Sequence, residues 1–150
     1  MLRSATVVRM STPAPQPRPH DAPQSAVQSV LEALARPLRQ RGVEVVVGVA
    51  VGRPVSRARM RMVRRAAWEL LVEAAGRAPY LVTLVLVERG GGLRLTVGHG
   101  RLGGAAGDRH ERPGGERLDQ LEQRLVASGG SLTLDARSGF ATYTAELPVD

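Results

Sequence analysis

Leu118-Asp119-Gln120-Leu121-Glu122-Gln123-Arg124-Leu125-Val126-Ala127-Ser128-Gly129-Gly130 runs straight into Ser131-Leu132-Thr133-Leu134-Asp135. Leu118, Leu121, Leu125 and Val126 recur at helical spacing and predict a helix of about three turns. Gly129-Gly130 stops it, and two β-prone runs follow, Ser131–Asp135 and Phe140–Leu147, which read as a hairpin. A helix feeding a hairpin through a glycine pair belongs to an α/β domain in which helices cover a largely antiparallel sheet.

Working outward gives the same kind of unit twice. Upstream, Tyr80–Val87 and Leu93–Val97 flank Gly90-Gly91-Gly92 as a first hairpin. Before it, Ser56 can cap a long helix running to about residue 78. Met60, Val63, Ala67, Leu70, Leu71 and Ala74 form the buried stripe of that helix. Val43–Val51 is a β-branched run. The first helix is expected to open at Ser25, where Ser25 and Gln28 have capping-box spacing. Its apolar positions are Val27, Val30, Leu31, Leu34, Ala35 and Leu38, and Pro37 should kink it. Residues 1–24 carry five prolines and read as a disordered tail, with Met1 or Met10 as the start; residues 25–150 form the folded domain. Residues 98–115 lack periodicity and read as a long glycine-rich loop, a length that usually carries function or disorder.

Composition narrows the chemistry. The 150 residues include no cysteine, which excludes disulfides and thiolate ligands. His20, His99 and His110 lack zinc-ligand spacing. All 21 basic residues are arginine, and the net charge is +7. That fits a GC-rich coding sequence as well as an anionic partner. At 3% aromatic residues, stacking platforms for nucleic acid are scarce. No run approaches the ~20 apolar residues of a membrane span, so a cytoplasmic location is expected.

Four stretches, taken in order, resemble the ATP-binding domain of histidine kinases (the GHKL or Bergerat fold), and most closely the nitrate-sensor and desaturation-sensor group. In Arg65-Ala-Ala-Trp-Glu69-Leu-Leu-Val-Glu73, Arg65 and Glu69 fit the family helix, and Glu73 stands where the family has its magnesium-binding asparagine. In Leu93-Arg-Leu-Thr-Val97-Gly-His99-Gly-Arg101-Leu-Gly103, His99 replaces the adenine-binding aspartate, Arg101 replaces the first glycine, and Gly103 remains. At the end of the loop Gly115 fits the first lid glycine and Arg117 replaces the second; the helix to Gly129-Gly130 matches well. The chain then closes on Leu147-Pro148, a family ending, but the family's glycine-threonine has become Phe140-Ala141.

The resemblance implies a two-layer α/β sandwich with a mixed, mostly antiparallel sheet and helices on one face. It implies an ATP/Mg site lined by Glu69, Glu73, His99, Arg101, Gly103, Gly115 and Arg117. Glu69 would be the catalytic candidate and Glu73 a magnesium ligand. Since ligand-bearing positions are mostly replaced while turns and core agree, weak or absent nucleotide binding is expected. The role implied is that of a regulatory or interaction protein in two-component-type signalling, binding a kinase, a response regulator or a sigma/anti-sigma component. The tail offers no helix for a phospho-accepting histidine, so autophosphorylation within the chain is not expected.

Three other readings stay open. Arg65, Glu69, Glu73 and Arg77 also make an ordinary solvated i,i+4 ladder. The altered site could still hold ATP and magnesium and phosphorylate a partner in trans, as the similar anti-sigma-factor kinases do. Finally, Arg57, Arg59, Arg61, Arg64 and Arg65 could attract anions or nucleic acid, although their spacing spreads them around the helix.

Overall fold

The computed structural model describes residues 21–77, 79–100, 115–137 and 139–148. The elements run α1 (Asp21–Gln40), β1 (Glu44–Ala50), α2 (Arg57–Gly76), β2 (Leu81–Arg89), β3 (Gly92–Gly100), α3 (Gly115–Ala127), β4 (Ser131–Arg137) and β5 (Phe140–Leu147). They build a five-stranded sheet in the order β1-β2-β3-β5-β4. Only β1 and β2 are parallel; every other pair is antiparallel. A parallel pair needs a long crossover, which α2 supplies. The fold is a two-layer α/β sandwich with a mixed sheet, as the sequence implied.

Strand alternation decides which face the helices cover. Val82, Leu84 and Leu86 of β2, Leu93, Leu95 and Val97 of β3, and Tyr143, Ala145 and Leu147 of β5 are all buried. The register places Leu84 against Val97 and Val97 against Tyr143, so these side chains share one face. The helices pack there, α1 on β1, α2 on β3 and β5, and α3 on β4 and β5. The opposite face is more polar and carries the cross-strand pair Arg94–Glu146 at 2.5 Å.

Helix α2 is the central beam. Ser56 caps it, its side chain accepting from the Arg59 amide at 3.3 Å. Val63, Ala66, Ala67, Leu70, Leu71 and Ala74 are fully buried, while Met60 is only partly so. Ala66 completes the stripe, and its small side chain lets the helix approach the sheet. Arg59 faces inward from the same helix and donates to the carbonyls of Gly91 at 3.3 Å and of Pro148. It thereby ties the start of α2 to the β2–β3 turn and the end of β5.

Several sequence expectations need correction. Helix α1 begins at Asp21, four residues before the capping box proposed at Ser25. Ser25 is inside the helix, where its carbonyl accepts from Ser29 Oγ at 3.0 Å. Gln28 turns instead to Glu32 at 3.1 Å and the Val47 carbonyl at 3.4 Å. Pro23 does not block the early start, because first-turn N–H groups have no intrahelical acceptor anyway. Pro37 lies inside the helix, as expected, and the helix runs on to Gln40. Residues 21–24 thus leave the assigned tail; residues 1–20 lie outside the described residues. Strand β3 extends to Gly100, taking Gly98, His99 and Gly100 from the assigned loop. Of the four residues that mark α3, Leu118, Leu121 and Leu125 are buried and Val126 is 60% exposed.

The glycine pair after α3 has a steric cause. Gly129 adopts φ +83°, the left-handed conformation of a helix stop. A Cβ on Gly130 would strike the carbonyl oxygen of Glu146, so α3 can lie this close to β5 only with glycine there.

Candidate functional site

The inner face at the His99 end of β3, beneath the second half of α2, gathers the residues of interest. His99 is 5% exposed and is the only buried polar side chain among the described residues. It continues the inward row of Leu93, Leu95 and Val97, with Val82 beside it on β2 and Ala141 on β5. Its ring stacks on Tyr143, centroids 5.9 Å apart and planes inclined by 25°. His99 is therefore part of the packed layer and not a loop-edge residue.

Tyr143 links this row to α2. Burial pushes its phenol up to about 12, with the negative field of Glu73 adding to the rise and Arg77 opposing it. Helix α2 packs on β5, and from there Glu73 and Arg77 act on Tyr143 through space. Glu73 Oε1 accepts from Arg77 Nη2 at 2.9 Å and from Arg77 Nε at 3.1 Å. Both donors fall on one oxygen, an arrangement that opposes metal binding through that atom because the guanidinium already supplies the positive charge.

Glu69, one turn earlier, meets two arginines. Its Oε1 lies 4.0 Å from Arg65 Nη2 on the same helix. Its Oε2 lies 3.8 Å from Arg117 Nε on α3. The ladder Arg65-Glu69-Glu73-Arg77 therefore forms, but its carboxylates are mostly covered: the Glu69 and Glu73 side chains are only 16% and 19% exposed. Those i,i+4 contacts run along α2, whereas the Arg117 contact joins α2 to α3.

Gly115 begins α3 at φ +48°, a conformation suited to glycine. Arg101 and Gly103 lie outside the described residues. Phe140, at the position of the family's glycine, turns to the outer face. A Cβ on Gly98 would come within 2.8 Å of the Phe140 ring, so Gly98 is what admits that ring. Ala141 sits on the inner face against His99, offering a methyl group where the family has a hydroxyl. The structure thus brings together Glu69, Glu73, His99 and Arg117. It adds Tyr143 and Arg77, which the sequence reading used as strand and ladder residues only. A period-two count back from Leu147 would have placed Tyr143 inward beside His99.

No group of three or more acidic or histidine side chains arranged to hold a metal ion occurs among the described residues. No helix among them is long and apolar enough to cross a membrane.

No family model matches the chain, and no curated protein matches it. Solved structures do. The Acinetobacter baumannii histidine kinase AdeS aligns with 84% of this chain at a TM-score of 0.59 and 18% identity. The mycobacterial sensor histidine kinase MprB aligns with 83% at 0.53 and 21% identity, and the catalytic domain of histidine kinase ThkA with 83% at 0.59 and 10%. The chain spans 64% of the AdeS chain, 93% of the MprB chain and 90% of the ThkA domain. Its fold is that of the histidine-kinase catalytic ATPase domain.

Proposed function

We propose that this chain is a degenerate histidine-kinase-type ATPase domain with weak or no nucleotide binding, acting as a regulatory or interaction component of two-component-type signalling. The observation that carries this reading is the neutralisation of both candidate site carboxylates by arginine. Glu73, where the family has a neutral magnesium-binding asparagine, is held by Arg77 through two hydrogen bonds. Glu69 lies within 4 Å of Arg65 and Arg117. A magnesium ion at Glu73 would compete with the Arg77 guanidinium that holds Oε1, whereas Glu69 makes no hydrogen bond to either nearby arginine and its buried Oε2 accepts none. The arginine charge beside Glu73 and Glu69 therefore weighs against tight binding of a magnesium–triphosphate group.

The base-binding end supports the same reading. His99 replaces an aspartate, and it is packed against Tyr143 with only 5% of its surface exposed. An adenine amino group would meet a ring already stacked into the core. Ala141 removes a hydroxyl from the same neighbourhood.

What remains intact is the scaffold, and a scaffold without its ligand chemistry can act only through its surface. The partner class is a kinase, a response regulator or a sigma/anti-sigma component. The test adds the purified chain to a reconstituted kinase and response-regulator pair and follows phosphoryl transfer. A dose-dependent change in transfer that persists after Glu69→Gln supports a non-catalytic regulatory role. Phosphorylation of a partner by this chain alone, abolished by Glu69→Gln, contradicts it and favours the trans-acting kinase reading.

A further inference from the structure

The outward face of α2 carries an arrangement that the nucleotide-site reading does not use. Five arginines crowd its first half, and they separate into distinct roles. Arg59 faces inward and is committed to the carbonyls of Gly91 and Pro148. Arg65 leans toward Glu69 at 4.0 Å. Arg57, Arg61 and Arg64 are exposed, and no hydrogen bond or ion pair engages them among the described residues.

These three are not spread around the helix. At about 100° per residue, Arg57, Arg61, Arg64 and Trp68 fall within an arc of about 60°. With a rise of about 1.5 Å per residue, the stripe is about 17 Å long. Trp68 ends it and is 44% exposed. It is the only tryptophan in the chain. A half-exposed tryptophan at the end of a row of guanidinium groups that have no partner among the described residues is the composition of a contact surface. Arginine and tryptophan combine charge with a flat apolar face that buries well.

We propose that this stripe docks an acidic amphipathic helix of a partner protein. The spacing carries the choice of occupant. Residues 57, 61 and 64 follow i, i+4, i+7, and Trp68 adds i+11. A second helix lying along α2 repeats its own side chains at the same steps. Carboxylates at i, i+4 and i+7 on that helix meet the three arginines, and an apolar residue at i+11 meets Trp68. A straight row one arginine wide matches one helix face. Duplex nucleic acid presents two phosphate strands, and a bilayer presents a plane. The proposal goes beyond the nucleotide-site reading and does not depend on it, since none of the four residues lines that site.

The test uses the full chain and its own fluorophore. The probe is an alanine-based helical peptide with glutamates at i, i+4 and i+7 and leucine at i+11. Its control has the same composition in scrambled order. Docking should shift the Trp68 emission to shorter wavelength, saturably, for the patterned peptide and not for the scrambled one. Replacing Arg57, Arg61 and Arg64 together by alanine should weaken binding about tenfold or more, as expected for three exposed ion pairs. Trp68→Phe, followed by anisotropy of a labelled peptide, should bind more weakly while circular dichroism stays unchanged. Because all four side chains are exposed, these variants keep the fold. Equal binding of the scrambled peptide, or unaltered binding by the triple variant, overturns the proposal. So does a larger emission shift with phosphatidylglycerol vesicles or duplex DNA than with the patterned peptide. Nucleotide titration reads a different site, so the two readings can fail separately.

Discussion

Removing Arg77 should cost more stability than removing the carboxylate it binds. Both Arg77 donors converge on Glu73 Oε1, at 2.9 and 3.1 Å. Glu73 is 19% exposed and Arg77 is 36% exposed. Arg77→Met therefore leaves a mostly buried carboxylate without its donors, at about 2 kcal/mol. Glu73→Gln leaves a guanidinium that water can reach, and the amide oxygen still accepts, so about 1 kcal/mol is expected. Fully exposed i,i+4 pairs contribute about 0.3–0.5 kcal/mol, whereas breaking a buried pair costs about 3–5 kcal/mol. This half-covered pair should show a coupling of about 1 kcal/mol in the double-mutant cycle. Urea denaturation of the four proteins measures it. The same cycle has an independent readout in Tyr143, whose phenol is pushed up to about 12 by burial and then by Glu73, with Arg77 opposing. Glu73→Gln should lower its midpoint, though burial keeps it above the ordinary value of about 10. Arg77→Met should raise it further. Alkaline ultraviolet titration separates the two. A coupling below about 0.3 kcal/mol, or shifts of Tyr143 in the opposite directions, would refute the placement of this pair over β5.

The remaining predictions concern the fold and its response to pH. Leu70→Ala removes a fully buried side chain of α2 and should cost about 2–5 kcal/mol, read as a lowered denaturation midpoint. Gly130→Ala sets a methyl group against the Glu146 carbonyl; it should destabilise the chain more than Gly76→Ala, whose Cβ meets nothing within 4 Å. At alkaline pH the raised phenol of Tyr143 favours the neutral form in the folded state. Its contribution is complete below about pH 10 and is lost as pH rises toward about 12. Tyr143→Phe should therefore flatten the alkaline limb of stability against pH. At acid pH, the hydrogen bond from Arg39 holds the Glu32 carboxyl below its usual value of 4.5. That contribution is present above the usual value and fades as pH falls, so Glu32→Gln should make the acid limb shallower.

The elements could be read from the sequence because each advertises its own period. The β5 bounds and the Ser56 cap emerge from local signals alone, and they agree with the structure. Boundaries set by tertiary packing were harder. Ser25 and Gln28 make a sound capping box by spacing, but Gln28 bridges Glu32 and the edge of β1 instead. Gly98-His99-Gly100 looks like loop because two of three residues are glycine. It is strand because Phe140 packs onto Gly98 and Tyr80 onto Gly100, contacts invisible along the chain. Charge was the least legible property. The alignment of Arg57, Arg61 and Arg64 with Trp68 was readable from helical spacing, whereas the inward turn of Arg59 to two carbonyls was not. At the candidate site, the i,i+4 spacing foretold the pairs Arg65–Glu69 and Glu73–Arg77. Their low exposure, and the Arg117 contact from α3, required the packed helices.

The central claim is that arginine neutralises the carboxylates of the site and leaves nucleotide affinity weak or absent. Calorimetric titration of the full chain with ADP and ATP, with and without magnesium, tests it most directly. No heat of binding below about 1 mM nucleotide, with or without the metal, is the predicted result. Binding near 1 μM that requires magnesium and disappears in Glu69→Ala and Glu73→Ala, roughly 4 kcal/mol tighter, would contradict it.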